Sequence, residues 1–242
     1  MGAKKDRIWE LDALRGIAIL CVVVLHGLYD LQTFLGWQIL GNPTIHWIMQ
    51  YGGILFVVLS GLCATLGSRS FRRGAVVLAC GLVVSLVTWA MARLGMADEN
   101  VIIRFGVLHL LGVCMLLWPA LGHLPTWALT MLGAGIVILG FWFEGMRVSC
   151  RWLFPLGLQY PGFSSADYFP VFPQLGWFLL GAAVGRTAYR GKTTRLPSFP
   201  CQAAPIRFLR WCGTHSLWIY LLHQPLLYGL LELLQVIQNG LP

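Results

Sequence analysis

The chain has 242 residues, of which 57% are hydrophobic and 11% are charged, with a mean hydropathy of +0.72 and a formal net charge of +8. So few polar side chains cannot coat a soluble globule of this size. A nucleic-acid-binding protein would instead carry its basic residues on one water-exposed face. The composition therefore predicts an integral membrane protein and argues against nucleic acid as a partner.

Seven continuous apolar stretches are long enough to cross a bilayer, which takes about 20 residues in a helix. They are residues 14–35, 45–66, 73–94, 101–122, 126–144, 170–189 and 214–236. The stretches lack the alternation that is typical of membrane β-barrel strands. We predict an all-α, polytopic integral membrane helical bundle of about seven transmembrane helices, forming a single domain over residues 1–242.

Lysine and arginine predict the orientation of this bundle. An N-terminus on the inside places 13 of the 17 basic residues on the cytoplasmic side, Lys4, Lys5 and Arg7 among them. This asymmetry agrees with the positive-inside rule. The net charge is therefore mainly a signal of topology.

Ionisable side chains within the predicted spans are the candidates for function, because placing them in lipid is costly. His26 and Asp30 lie four residues apart in the first span and so share a helix face. His109 and His223 lie in the fourth and seventh spans, at depths that could place all three histidines in one layer. The alternative interpretation is that these histidines only form hydrogen bonds between packed helices.

A carboxyl group beside an imidazole orients the ring and supports its protonated form, as a general base requires. We predict that His26 is the catalytic base and Asp30 its orienter. His109 and His223 are predicted to line the site or to donate hydrogen bonds to an oxyanion. The seven cysteines contain no CxxC pair, so we expect neither a disulfide framework nor a metal site.

Two long connections flank the predicted spans. Residues 145–169 form an outer connection that is long enough to cover a site. Within it, Asp167 and Tyr168 could contact a sugar, although Ser165-Ala166-Asp167 is equally suited to start the next helix. Residues 190–213 form a basic, proline-containing inner connection, which we interpret as a tether that sets topology rather than as a ligand site.

Five segments carry a resemblance in the same order along the chain. They are RIWELDALRGIAIL from Arg7, LFVVLSG from Leu55, RFGVLHLLG from Arg104, SADYFP from Ser165 and SLWIYLLHQP from Ser216. Together they resemble the heparan-α-glucosaminide N-acetyltransferase family and its bacterial branch, from about Arg7 to Tyr228.

The resemblance implies a polytopic acyltransferase that moves an acetyl group from cytosolic acetyl-CoA to a sugar or glycan acceptor at the outer face, here of a bacterial inner membrane. Lysosomal members use an asparagine and a histidine at the site. His26 falls at the asparagine position, and the histidine position falls near Leu40. The Arg15-Gly16 pair followed by a span ending in histidine is also similar to membrane O-acyltransferases of bacterial surface glycans, in which that histidine is the expected base.

The implied donor, acetyl-CoA, carries phosphates that arginine side chains bind well. Arg69, Arg72 and Arg73, between the second and third spans, are candidates to hold them, although they also serve the topology. Arg15 is a further candidate, at a helix end where it can pair with Asp12.

On the acceptor side we predict that Asp167, Tyr168 and Gln224 contact the sugar. Membrane lipid is the other expected partner, and a homodimer is the default expectation for a symmetric assembly. N-transfer and O-transfer, and a direct or an acetyl-histidine route, all agree with these residues.

The competing class is a small-molecule or proton-coupled transporter, because buried histidine and aspartate also form proton relays. A retinal protein is excluded, since it needs a lysine within a span and Lys4, Lys5 and Lys192 all lie outside the predicted spans.

Overall fold

A computed structural model of the chain describes residues 8–35 and 42–240, so that Lys4, Lys5, Arg7 and Leu40 lie outside the described residues. Within these ranges the chain forms eight α-helices and no β-strand, which confirms the all-α prediction. The helices are α1 (Trp9–Leu35), α2 (Pro43–Leu66), α3 (Ser70–Arg93), α4 (Val107–Leu121), α5 (Thr126–Phe143), α6 (Val171–Ala188), α7 (Ala204–Thr214) and α8 (Ser216–Gly240).

Each of the seven predicted apolar stretches overlaps one helix, and α7 is additional. The fourth prediction, residues 101–122, was too long, because α4 begins only at Val107. Within the described part of the chain, three segments are long and apolar enough to cross a membrane, namely Trp9–Gln32, Ser70–Arg93 and Thr126–Phe143. Shorter apolar helical stretches lie at Tyr51–Leu66 and Val107–Leu121. These lengths support an integral membrane protein, while seven spans and an inside N-terminus stay predictions.

The described helices belong to two compact units. One contains α1, the first part of α2, α7 and α8, from residues 8–35, 42–56 and 192–240. The other contains the rest of α2 and α3 to α6, from residues 57–191.

In the first unit, α7 packs against α1 at backbone distance. A Cβ atom at Gly16 would lie 1.9 Å from the Leu209 carbonyl oxygen, and one at Gly213 would lie 1.7 Å from the Asp12 carbonyl oxygen. Small residues at such crossings allow the close van der Waals contact that holds helices together in lipid. The inner connection, which we interpreted as a tether, therefore contains a helix that is docked on α1.

The first turn of α1 also holds the start of this connection. Glu10 is buried, and its carboxylate accepts hydrogen bonds from Thr194 Oγ1 at 2.8 Å and from the Arg195 backbone N–H at 2.7 Å. Trp9 stacks on Phe199 with ring centroids 5.3 Å apart. These contacts fix the inner connection to α1 at a second place.

The second unit uses the same kind of close contact between α2 and α6. A Cβ atom at Gly61 would lie 1.9 Å from the Phe178 carbonyl oxygen, and one at Gly181 would lie 2.1 Å from the Val58 carbonyl oxygen. At the end of α4, the Arg186 guanidinium donates to the carbonyls of Gly122 and Leu124. Carbonyl groups at a helix end lack intrahelical partners, so this arginine stabilises the short turn between α4 and α5.

We expect Gly61→Ala to destabilise the protein by about 1–3 kcal/mol, because the added methyl group must push α2 away from α6. Gly135→Ala is the matched control, since a Cβ atom at this helical glycine meets nothing within 4 Å. Alanine is favoured over glycine in a helix by up to about 1 kcal/mol. Thermal unfolding in detergent would compare the two, and equal midpoints would contradict the close contact.

Candidate active site

His26 and His223 face each other between α1 and α8. Their ring centroids lie 5.0 Å apart, with the ring planes at 81°. The two helices belong to the same unit. Of the three histidines predicted to share a layer, the structure brings these two together.

Each of these histidines uses Nδ1 to bind a backbone carbonyl of its own helix. His26 Nδ1 lies 2.9 Å from the Val22 oxygen, and His223 Nδ1 lies 2.6 Å from the Tyr220 oxygen. A carbonyl oxygen can only accept, so each Nδ1 carries a proton, and in the neutral ring each Nε2 keeps its lone pair. Both rings therefore present their basic nitrogen away from their own helix backbone.

The lone pair of His223 is buried. The side chain is 8% exposed, and within residues 8–35 and 42–240 its Nε2 atom has no hydrogen-bond partner. A buried polar atom without a partner costs free energy. This buried atom beside a second imidazole makes the pair the centre of the candidate site.

Asp30 lies next to this histidine pair and is only 4% exposed. The Gln224 amide donates to both of its carboxyl oxygens, Oδ1 at 3.2 Å and Oδ2 at 3.1 Å. His26 is held instead by the Val22 carbonyl. Asp30 is therefore bonded to Gln224 and not to His26, the ring that we predicted it to orient.

Gln224, predicted from the sequence to contact the acceptor, has two different ends in the structure. Its amide N–H groups are used by Asp30, while its Oε1 atom is buried with no partner in the described part of the chain. We refer to His26, Asp30, His223 and Gln224 as the histidine cluster. With the histidines neutral, its unpartnered atoms, Nε2 of His223 and Oε1 of Gln224, are hydrogen-bond acceptors.

His109 lies in the other unit, where both of its ring nitrogens are engaged. The Gly106 backbone N–H donates to Nδ1 at 3.2 Å, which leaves the proton on Nε2, 3.2 Å from Ser85 Oγ. Ser85 in turn donates to the Ile103 carbonyl at 2.5 Å. His109 therefore closes the N-terminus of α4. We had predicted that its N–H could donate to an oxyanion, but in the structure that N–H is already bonded to Ser85.

Ser85 was not among the residues singled out in the sequence. Its only sequence signal is a hydroxyl side chain within an apolar helix. Such a side chain has to find a partner in or beyond its own helix. The pattern does not identify that partner.

Asp167 and Tyr168, predicted to contact a sugar, both hold the outer connection in place. Asp167 Oδ2 accepts from the Val107 backbone N–H at 3.0 Å, so it caps α4 rather than starting α6. Tyr168 donates its hydroxyl to the Phe154 carbonyl at 2.6 Å. Burial raises the pKa of Tyr168 to about 12, against the opposing effects of Gln159 and Arg147.

The four arginines predicted to bind phosphate have two kinds of surroundings in the structure. Arg69, Arg72 and Arg73, around the start of α3, are exposed. Arg15 lies 3.9 Å from Asp12 and so forms the predicted pair along α1. Among the residues that the structure describes, no group of three or more histidine, cysteine, aspartate or glutamate side chains is placed to hold a metal ion.

The long apolar helices define an integral membrane protein, in which Asp30 of α1 and His223 of α8 are buried polar residues. Over residues 7–225 the chain matches the family described as heparan-alpha-glucosaminide N-acetyltransferase, catalytic. The chain therefore belongs to this family of acetyltransferase-type membrane enzymes, and the resemblance seen in the sequence is confirmed. Comparison with curated proteins and with solved structures gives no match.

We expect His109→Leu to lower the free energy of unfolding by about 1–3 kcal/mol, because the buried Gly106 N–H and the Ser85 hydroxyl lose a partner. Thermal unfolding in detergent measures this change. A stable variant with an unchanged midpoint would contradict the helix-closing role.

We expect the wild-type protein to lose stability between about pH 10 and 12 more steeply than Tyr168→Phe. The folded-state pKa of Tyr168 is raised from 10.0 to about 12, so the unfolded chain releases this proton first as the pH rises. The stabilising contribution is complete below pH 10 and is lost through the folded pKa. Parallel unfolding curves for the two proteins across this range would contradict the assignment.

Proposed function

We propose that this protein is an acetyl-CoA-dependent acetyltransferase of a bacterial inner membrane, which acetylates an amine or hydroxyl group of a sugar acceptor at the histidine cluster. Membership of the family supports the reaction type. The observation that carries the choice of site is the buried Nε2 atom of His223, which has no hydrogen-bond partner among the described residues. The centroid of its ring lies 5.0 Å from the ring centroid of His26.

The fixed Nδ1 protons give the two imidazoles the correct form for a general base. A neutral ring that donates through Nδ1 can take a proton only at Nε2, which is the atom that each histidine leaves available. His26 remains our candidate for the base. His223 presents the same atom in the more buried position, so it is an equal candidate.

The closeness of the rings disfavours two positive charges, because two imidazolium rings at this distance would repel each other. The ring that accepts the proton from the nucleophile becomes the charged ring, and its neighbour stays neutral. The imidazolium that forms can donate a hydrogen bond to the thioester oxygen as it becomes negative. The carboxyl group of Asp30 supports the charged ring.

The proposed transfer balances without a further reactant. The acceptor nitrogen or oxygen attacks the thioester carbon, its proton passes to the neutral imidazole, and a new amide or ester bond forms. The carbon–sulfur bond breaks, and the departing thiolate takes that proton from the imidazolium to leave as the CoA thiol, which returns the imidazole to its neutral form. At the donor side, the exposed Arg69, Arg72 and Arg73 are our candidates for binding the CoA phosphates.

The first test is transfer of labelled acetyl from acetyl-CoA to methyl glucosaminide by purified protein, followed by mass spectrometry of the sugar. His223→Gln and His26→Gln should each lower the rate by about 100-fold or more, the usual cost of losing a general acid or base. His215→Gln is the matched control, since His215 is exposed and contacts Trp211 and Thr214 at the end of α7. It should retain wild-type activity.

Calorimetry with acetyl-CoA completes this test. Arg72→Ala should weaken binding while leaving the histidine cluster intact. No binding of acetyl-CoA in the presence or absence of the sugar, together with no acetylated product, would overturn the proposal. It would favour the transporter class, in which His26, His223 and Asp30 form a proton path.

A further inference from the structure

The inner connection of the first unit carries exposed aromatic side chains among basic ones. Helix α7 is docked on α1 by one face, where Cys212 and Gly213 are buried. Elsewhere on its surface, Phe208 is 53% exposed and Trp211 is 55% exposed. Exposed aromatic side chains grouped on one helix mark a surface that meets a membrane or another protein. Residues 192–213 also contain four basic residues and no acidic residue, the basic ones being Lys192, Arg195, Arg207 and Arg210.

The aromatic and basic side chains of α7 lie next to each other. Phe208 lies three residues before Trp211 and Arg207 lies four residues before it, so both are neighbours of Trp211 on the helix surface. Arg207 is exposed. Arg210 is half-buried and donates to the Cys201 carbonyl at 3.4 Å. The exposed part of α7 is therefore amphipathic, with an arginine beside two aromatic rings.

The acidic side chains in the first turn of α1 do not offset this charge at the surface. Glu10 is 6% exposed and Asp12 is 9% exposed. Glu10 accepts hydrogen bonds from Thr194 and from the Arg195 backbone N–H, and Asp12 lies 3.9 Å from Arg15. The charge that the inner connection presents to its surroundings is therefore positive.

Contact with α1 places α7 at one end of a membrane-spanning segment. The apolar segment begins at Trp9, and α7 touches it at Asp12 and Gly16. At a rise of 1.5 Å per residue, both positions lie within about 10 Å of the start of the segment. This is the depth at which acyl chains give way to lipid headgroups. Tryptophan is enriched at this depth, and helices with aromatic and basic side chains lie there.

A membrane surface with negative headgroups fits each of these features. The sequence predicts that this end of α1 faces the cytoplasm, whose leaflet carries the anionic lipids. An arginine pairs well with a headgroup phosphate, and aromatic rings bury themselves at the edge of the acyl chains. We propose that α7 binds anionic phospholipid, with Phe208 and Trp211 among the acyl chains and Arg207 at the headgroups. The inner connection is then a lipid-binding element as well as a signal of topology.

The competing ligand is a free phosphate group, such as those of CoA. The two ligands differ in which side chains they use. A lipid needs both the charge of Arg207 and the ring of Phe208, whereas a phosphate group without acyl chains needs only the charge.

The experiment follows thermal unfolding of the purified full chain in a neutral detergent against increasing amounts of three additives. Dimyristoyl phosphatidylglycerol is the anionic lipid, and dimyristoyl phosphatidylcholine has the same acyl chains with a headgroup of no net charge. CoA supplies phosphate groups without acyl chains. Stabilisation by each additive reports its binding constant.

We expect the wild type to bind phosphatidylglycerol about tenfold more tightly than phosphatidylcholine. Arg207→Gln should bind phosphatidylglycerol about fivefold more weakly and phosphatidylcholine equally well. Phe208→Gln should weaken the binding of both lipids about fivefold, because the ring contributes to both. Both side chains are exposed, so the midpoints without lipid should stay at the wild-type value.

Two controls separate a site from a general effect of charge. Arg207→Lys keeps the charge and should keep the preference for phosphatidylglycerol. Arg93→Gln removes an exposed arginine at the end of α3, in the other unit, and should also keep it. Added salt should reduce the preference of the wild type, since the attraction to anionic lipid is screened.

Three results would overturn the proposal. The first is equal binding of the two lipids by the wild type. The second is an equal loss of preference in Arg93→Gln and Arg207→Gln, which would indicate net charge alone. The third is binding of CoA that depends on Arg207 together with lipid binding that does not, which would indicate a phosphate site. None of these measurements involves acetyl transfer, so the result is independent of the proposed function.

Discussion

The hydrogen bonds from the Gln224 amide to both carboxyl oxygens of Asp30 are the contact on which the candidate active site depends. In a bilayer, apolar surfaces give helices little reason to choose one partner over another, and polar side chains gain by meeting each other. Because His26 lies one turn before Asp30 and His223 lies next to Gln224, this contact also brings the two imidazoles together. The site is thus a consequence of pairing a buried carboxyl group.

The close contact of α7 with α1 supports this arrangement from the other end of the same unit. Gly16 and Gly213 let the two backbones touch, and α8 begins within three residues of Gly213. A larger side chain at either glycine would move the start of α8. The positions of His223 and Gln224 therefore depend on small residues that take no part in the chemistry.

Polar side chains in this protein fall into two physical groups. Those of His109, Asp167 and Tyr168 use their hydrogen-bonding atoms on the backbone or on Ser85, and they hold helix ends and the outer connection in place. His223, Gln224, Gln174 and Trp177 each keep a buried atom without a partner in the part of the chain that is described. The first group stabilises the fold, whereas the unpartnered atoms of the second group cost stability.

Composition and hydropathy determined the helical class and the approximate positions of seven of the eight described helices. Five sequence segments, in the same order along the chain, indicated the family. These are properties of continuous stretches of chain, since each apolar helix satisfies its own backbone and is recognised by length alone. Sequence also determined that His26 and Asp30 share a face, because that follows from helical spacing. The docked helix α7 was missed because a membrane span is recognised as an apolar stretch of about 20 residues, whereas α7 has 11 residues and carries Arg207 and Arg210.

Tertiary structure decided which polar side chains meet. Nothing in the spacing of Asp30 and Gln224, of Asp167 and Val107, or of Ser85 and His109 indicates that they are partners, because the two members of each pair lie on separate parts of the chain. The sequence therefore assigned all three histidines to one site, whereas in the structure His26 and His223 lie together and His109 closes the N-terminus of α4. A histidine is a candidate base or a helix cap according to whether its nitrogens are already bonded, and only the packing of helices determines that.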